Sequence, residues 1–206
     1  MSVSQAAKAT GREAKIEKVL DRRQPTLTVV LENIHDVHNV NAILRSCDAS
    51  GVLKVHLVYN IESFPEQWTS VDIGAGKASV GVNKWLDFEL YDSVESCFQK
   101  LHEEGFRILA TKIDPSAAKL YDNDLTLPTA FVLGNEHRGI SDEAARLSDD
   151  LIYIPMMGMA ESLNVSVATA VCLFEALRQR SAKGMYKTPQ LSPDTLRAKK
   201  LEWLLK

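Results

Sequence analysis

Six short stretches rich in Val, Ile and Leu alternate with segments of helical periodicity, and this alternation restricts the fold more than anything else in the sequence. In order they are "LTVVLENI", "VLKVHLVYN", "WLDFEL", "FRILATKI", "TAFVLGN" and "LIYIPM". Val/Ile/Leu-rich strands alternating with helices are the habit of parallel sheets. Parallel strands need crossover connections, and the intervening helices supply them. The fold class predicted is α/β with a parallel sheet. Periodicity alone predicts an unknotted, doubly wound domain, because threaded chains are rare.

The helices have local signals of their own. In "VHNVNAILRSCDASG", Val40, Ile43, Leu44 and Cys47 form one apolar stripe, and Gly51 stops the helix. "SVESCFQKLHEEG" is a capped helix with a Gly stop, and Ser141 should cap the short "SDEAARLSD" helix. "VSVATAVCLFEALRQRSAKG" is apolar nearly all round, as a buried helix is. Thr10-Gly11-Arg12-Glu13 fits a capping box, so a first helix should run from there to about Arg22. "TPQLSP" is a linker before a last amphipathic helix, "DTLRAKKLEWLLK". Three units are therefore expected: residues 1–24, a body over 25–180, and a linker with a helix over 181–206.

No apolar run approaches the ~18 residues of a membrane span, and the N-terminus lacks a secretory apolar core. Cys47, Cys97 and Cys172 are odd in number, far apart and set in apolar patterns, as buried thiols of a reducing, cytoplasmic compartment would be. The net charge of -3 conceals a segregation: the two tails sum to +9 and the middle to -12. Basic ends on an acidic body suit a polyanionic partner, or they are solvated terminal helices. Arg12, Lys15, Lys18, Arg22 and Arg23 form one candidate phosphate-binding group, and Arg197, Lys199 and Lys200 a second. Ile16, Val19 and Leu20, and likewise Leu201, Leu204 and Leu205, could instead pack on the body or a partner subunit.

Ligands of open parallel sheets bind beyond the carboxyl ends of the strands. Polar residues collect at those ends: Asn33 leading to Asn39, Thr111, "LGNEHRG" and "GMAESLN". "GAGKAS" lacks the first glycine and the Ser/Thr of a phosphate loop. GxGxxG, GxSxG and HExxH are missing, and the five histidines are not at metal-ligand spacings. A nicotinamide-dependent oxidoreductase is a poor reading for want of the glycine fingerprint.

Three stretches, in order, resemble the SpoU class of RNA ribose 2′-O-methyltransferases in the SPOUT superfamily: "NVNAILRSCDASG", "FVLGNEHRGIS" and "IPMMGMAESLNVSVATAVCLFE". The likeness extends over roughly residues 25–180. With "RRQPTLTVVLENIHDVHNV" and helical extensions at both ends, the flanks look like the TrmH-type branch that modifies guanosine 18 of tRNA. The resemblance implies a deep C-terminal trefoil knot, a homodimer, S-adenosylmethionine as cofactor, tRNA as partner, and neither metal nor membrane. It implies that Thr111, Gly134, Ile154 and Leu163 hold the cofactor, and that Arg45, Asn39, Glu136, Ser162 and Asn164 build the catalytic site. Taken singly, each has a plainer role: Glu136 as a loop carboxylate, Ser162 and Asn164 as helix caps, Arg45 as a partner of Asp48. Ribosomal RNA or another tRNA position remain alternative substrates, and a non-catalytic RNA-binding protein an alternative of another class.

Methyl transfer from a sulfonium needs alignment and a way for the 2′-hydroxyl to lose its proton. A guanidinium has no acceptor atom, so Arg45 is no literal base. Either it holds an RNA phosphate whose oxygen takes the proton, or its neighbours polarise it.

Overall fold

The computed structural model describes residues 3–61 and 82–206, so "GAGKAS" and most of the loop-rich stretch around it lie outside the described residues. Seven described strands form one sheet: β1 (Leu27–Glu32), β2 (Lys54–Val58), β3 (Asp87–Tyr91), β4 (Arg107–Thr111), β5 (Ala118–Lys119), β6 (Thr129–Leu133) and β7 (Asp150–Tyr153). Every pairing is parallel, in the order β3-β2-β1-β6-β4-β7-β5. All six predicted strands are present. β5 is additional: its two exposed residues leave no apolar pattern in the sequence. The order departs from the simple doubly wound one: β6 is wedged between β1 and β4, so those two strands are not neighbours.

The six described helices are α1 (Val3–Leu20), α2 (Val37–Ser50), α3 (Val94–Glu103), α4 (Asp142–Leu147), α5 (Val165–Ala182) and α6 (Pro193–Leu204). The two-residue period of β1 divides the core. Val29 and Leu31 pack with α2 and α5 through Ile43, Leu44, Cys47, Cys172 and Leu173. Val30 faces the other way, into a cluster built by Val94, Cys97, Phe98 and Leu101 of α3. Each such side chain, fully buried, contributes about 1.5–3 kcal/mol. Burial also pushes the Cys47, Cys97 and Cys172 thiols well above their usual range, and all three are free.

Ser93 and Ser141 cap α3 and α4 as expected, each accepting from the backbone three residues on. α1 departs from the sequence expectation. It begins at Val3, so Thr10 lies inside the helix and is not its N-cap. Gly11 then sits in mid-helix at a cost of about 1 kcal/mol, which tertiary packing offsets: Ile16 and Leu20 are buried with Leu53, Leu191 and Trp203 of α6. The terminal helices thus pack on each other and on the body. Leu201 and Leu205, by contrast, stay exposed.

Gly51 ends α2 in the left-handed region (φ 89°), and a Cβ there would meet the Arg22 carbonyl at 2.7 Å. Arg180, near the end of α5, is fully buried and ties that helix to the entry of β1. Its guanidinium donates to the carbonyls of Leu125 (2.9 Å), Thr26 (2.8 Å) and Leu127 (2.8 Å), to Thr26 Oγ1 (2.9 Å) and to Gln24 Oε1 (3.3 Å).

Candidate active site at the carboxyl rim

β1, β6, β4 and β7 are adjacent and parallel, so the chain leaving each carboxyl end emerges on one rim. Beyond β1, Asn33 adopts φ 52°, which Asn tolerates better than most residues. Its amide donates to Asn60 Oδ1 (2.8 Å), and its carbonyl accepts from Asn135 Nδ2 (2.8 Å). These buried amides clamp the β1 and β6 loops together. Asp36 caps α2 by accepting from the His38 amide (2.7 Å), and Asn39 falls in the first turn.

The loop after β6 is a tight reversal. Asn135 Oδ1 accepts from the His137 amide (2.9 Å), and the Gly139 amide returns to the Asn135 carbonyl (2.8 Å). A Cβ at Gly134 would lie 2.1 Å from the Gly139 carbon, so the close approach that demands glycine is to the chain's own backbone. Thr111 closes the same corner by donating Oγ1–H to the Val132 carbonyl (2.9 Å).

Three of the five expected catalytic residues meet directly. Asn39 donates Nδ2–H to Glu136 Oε1 (2.9 Å), and Asn164 donates Nδ2–H to Asn39 Oδ1 (2.9 Å). Residues 39, 136 and 164 are distant in sequence, so this row exists only through the sheet order. Asn164 has a second role: it caps α5, its Oδ1 accepting from the Ser166 amide (2.8 Å). The capping role and the site role therefore coexist in one side chain.

Arg45 is exposed on α2, and among the described residues it has neither hydrogen bond nor ion pair. Its expected alternative partner, Asp48, pairs instead with Arg23 (Nη2–Oδ1 2.5 Å). Ser162 is exposed and makes no hydrogen bond to the row among the described residues. His137, inside the second motif and beside Glu136, is an exposed titratable group whose spacing to other histidines gives no signal in the sequence.

Residues 154–164 run without regular structure. Met157 (94% exposed) and Met159 (100%) project from them, with Ile154 half-buried and Leu163 36% exposed. An apolar strip this open, beside a polar row, is the composition of a ligand site.

Arg23 departs from the expected phosphate contacts: it is fully buried. It donates to the carbonyls of Val52 (2.7 Å), Asp48 (3.2 Å) and Trp85 (3.2 Å), besides its ion pair. Arg12, Lys15, Lys18 and Arg22 remain exposed. In the C-terminal group, Lys199 pairs with Asp87 and Glu202, and Lys200 with Glu13 and Glu17, so these two lysines hold α6 in place.

Residues 26–174 match the model of the SpoU rRNA Methylase family. The chain is 44% identical to a tRNA (guanosine(18)-2'-O)-methyltransferase of Thermus thermophilus, over 95% of this chain and 96% of that protein. Its fold is similar to the crystal structure of the A. aeolicus TrmH/SpoU tRNA modifying enzyme, with a TM-score of 0.81 at 36% identity, covering 95% of this chain and 96% of the other. It also resembles the SpoU methyltransferase AviRb of Streptomyces viridochromogenes in complex with AdoMet (TM-score 0.63, 25% identity, 79% of this chain and 59% of that one). α6 lies wholly outside the family match, and α1 before it.

Proposed function

Because the chain belongs to the SpoU rRNA methylase family, we propose that it transfers a methyl group from S-adenosylmethionine to the ribose 2′-hydroxyl of guanosine 18 in tRNA. The observation that carries this is the Asn164–Asn39–Glu136 row on the rim that α2 and Arg45 share, in a chain alike over 95% of its length to an enzyme of that name. A non-catalytic RNA-binding protein would have no use for such a row.

Bound in the loops, S-adenosylmethionine supplies an activated methyl group on a positively charged sulfonium. The residues present fit it: backbone around Thr111, Gly134 and Ile154 for the adenine edge, and Leu163 with the exposed methionines for apolar cover. The chain's own work is then positional. Glu136 and Asn164 hold the Asn39 amide from both ends, so its remaining N–H is preorganised toward the target nucleotide. Arg45, paired with no carboxylate among the described residues, grips an RNA phosphate with its planar fork. The 2′-hydroxyl passes its proton to an oxygen of that phosphate, since the guanidinium accepts none. Ser162 lies on the exposed loop two residues before Asn164. Arg12, Lys15, Lys18 and Arg22 add phosphate contacts from α1.

The same reading makes the chain beyond β4 a deep trefoil knot, α1 and α6 the branch's terminal extensions, and the enzyme a cytoplasmic homodimer working without metal. For the knot, the support is the wedging of β6 between β1 and β4. For the dimer, it is the exposure of Val167 (47%) and Phe174 (48%) on α5, next to the open methionine loop. No described helix is long and apolar enough to cross a membrane. Sedimentation at micromolar concentration should give twice the monomer mass, and a folded, cofactor-binding monomer would end the dimer assignment.

The function is tested with an unmodified tRNA transcript and methyl-labelled S-adenosylmethionine. Label should appear at guanosine 18 and vanish when that nucleotide is 2′-deoxy. Label at another position, or only on ribosomal RNA, would overturn the assignment.

A further inference from the structure

Away from the rim, α1, α2 and α6 border a half-open pocket of about 300 Å3, at the lower bound of small-ligand sites, ~300–1,000 Å3. Trp85 and Trp203 form one wall, their rings 5.1 Å apart and tilted by 59°. Ile16 and Val19 of α1 form the facing wall. Arg12 and Lys15, both exposed, stand at the opening, and Asp48 closes the α2 side. Trp203 is 1% exposed and packed with Ile16 and Leu20, so it backs the wall, and Trp85 is the ring left partly open.

The position relative to Arg45 narrows the occupant. Asp48 lies three residues beyond Arg45, on an adjoining face of α2 and ~4.5 Å further along its axis. It lies nine residues, or ~14 Å, beyond Asn39. A strand whose phosphate is held by Arg45 therefore passes the mouth of this cavity within a few nucleotides of the reacting ribose. The lining matches what such a strand carries. The partly exposed Trp85 ring and Val19 take the face of a base. The Asp48 carboxylate meets its donors, and Arg12 and Lys15 meet the flanking phosphates.

We infer that this cavity is a second nucleotide-binding site, which takes one unstacked base of the RNA while the target ribose lies at the rim. The inference rests on the RNA-methylation reading and extends it to a pocket where the family-matched body, through Asp48 and Trp85, meets the terminal helices outside the match.

The test uses the full-length protein and an unmodified tRNA transcript. Trp85→Leu keeps an apolar side chain and the backbone carbonyl that Arg23 binds, but removes the ring. It should weaken tRNA binding about 5- to 150-fold, the equivalent of ~1–3 kcal/mol for one stacked base, with S-adenosylmethionine affinity unchanged; the packing lost on Trp203 lowers the melting temperature, and binding is read well below it. Trp85→Phe should recover most of the loss. Tryptophan emission of the parent protein should fall on adding tRNA, but not on adding polyphosphate, which has no bases. Should Trp85→Leu not fold, ultraviolet crosslinking of tRNA to the parent protein reads the same stacking, through a crosslinked peptide containing Trp85. Parent-like affinity in Trp85→Leu would overturn the inference, as would loss of affinity only in Arg12→Gln, the mark of a purely electrostatic surface. If Trp85→Leu binds and methylates tRNA like the parent, the cavity assignment fails and the function stands. If the parent binds tRNA through Trp85 but never methylates it, the reverse holds.

Discussion

Arg45 at the rim and Arg180 at the opposite end of the molecule are the same residue type put to contrary uses. Arg180 is sealed from water and donates five hydrogen bonds. Burial lowers its pKa to about 10, so it still carries its proton at neutral pH. Arg45 lies in solvent with no partner among the described residues. A buried guanidinium stabilises the fold because leaving it unsatisfied would be costly; an unsatisfied one at the surface costs little and stays available to a ligand. Arg23 belongs with Arg180, although in the sequence it looks like one more cation of a basic tail.

The contrast can be broken by substitution. Arg180→Ala should cost the most, about 3–5 kcal/mol, because it strands several buried carbonyls. Urea unfolding reads this directly, and a change below ~1 kcal/mol would show that the guanidinium holds nothing. Arg45→Ala should leave stability and cofactor affinity alone but slow methyl transfer ~100- to 1,000-fold, as removal of one preorganised donor does. Arg45→Lys should fail nearly as badly, since a point charge does not replace a planar fork. Single-turnover rates near those of the parent would remove Arg45 from the mechanism.

His56 tests burial through pH. It is 1% exposed on β2, beside Tyr91, with Lys54, Glu89 and Glu104 as the nearby charges. Burial above all, then Lys54, lowers its pKa from 6.5 to about 4. Between those values the unfolded chain binds a proton that the folded chain refuses. His56 therefore costs nothing above about pH 6.5, and stability falls as pH drops toward 4, by up to roughly 3 kcal/mol. Unfolding followed from pH 7 to pH 4 should show a shallower decline in His56→Gln than in the parent. Parallel declines would mean that the imidazole protonates in place.

The smallest effect separates the two kinds of tail arginine. Arg12→Glu with Lys15→Glu and Lys18→Glu should weaken tRNA binding and reduce its log–log salt slope by roughly 0.9 for each phosphate no longer neutralised, at normal stability. Arg23→Gln should do the opposite, lowering the melting temperature and leaving the salt slope intact. Equal slopes in all variants would make the α1 face a solvated surface.

Much of this was decided by local sequence. The Val/Ile/Leu-rich stretches set six of the seven described strands; in the central β1 and β6 every residue is buried, because a strand covered on both faces has to be largely apolar, whereas the edge strand β3 carries Asp87 and Glu89. Ser93, Ser141 and Gly51 set helix ends through hydrogen bonds and backbone freedom that act within a few residues. The rim was legible as well, since parallel strands deliver their loops to one end. What sequence could not determine was which loop meets which. Asn39, Glu136 and Asn164 join only because β6 is inserted between β1 and β4, a choice made by long-range pairing that no local pattern records. Nor could it tell Arg23 from Arg22 beside it, or show that Thr10 lies inside a helix. Those outcomes depend on Trp203 and Leu191 arriving from the far end of the chain to bury one face of α1. Propensity and charge act over neighbours in sequence, whereas burial acts over neighbours in space.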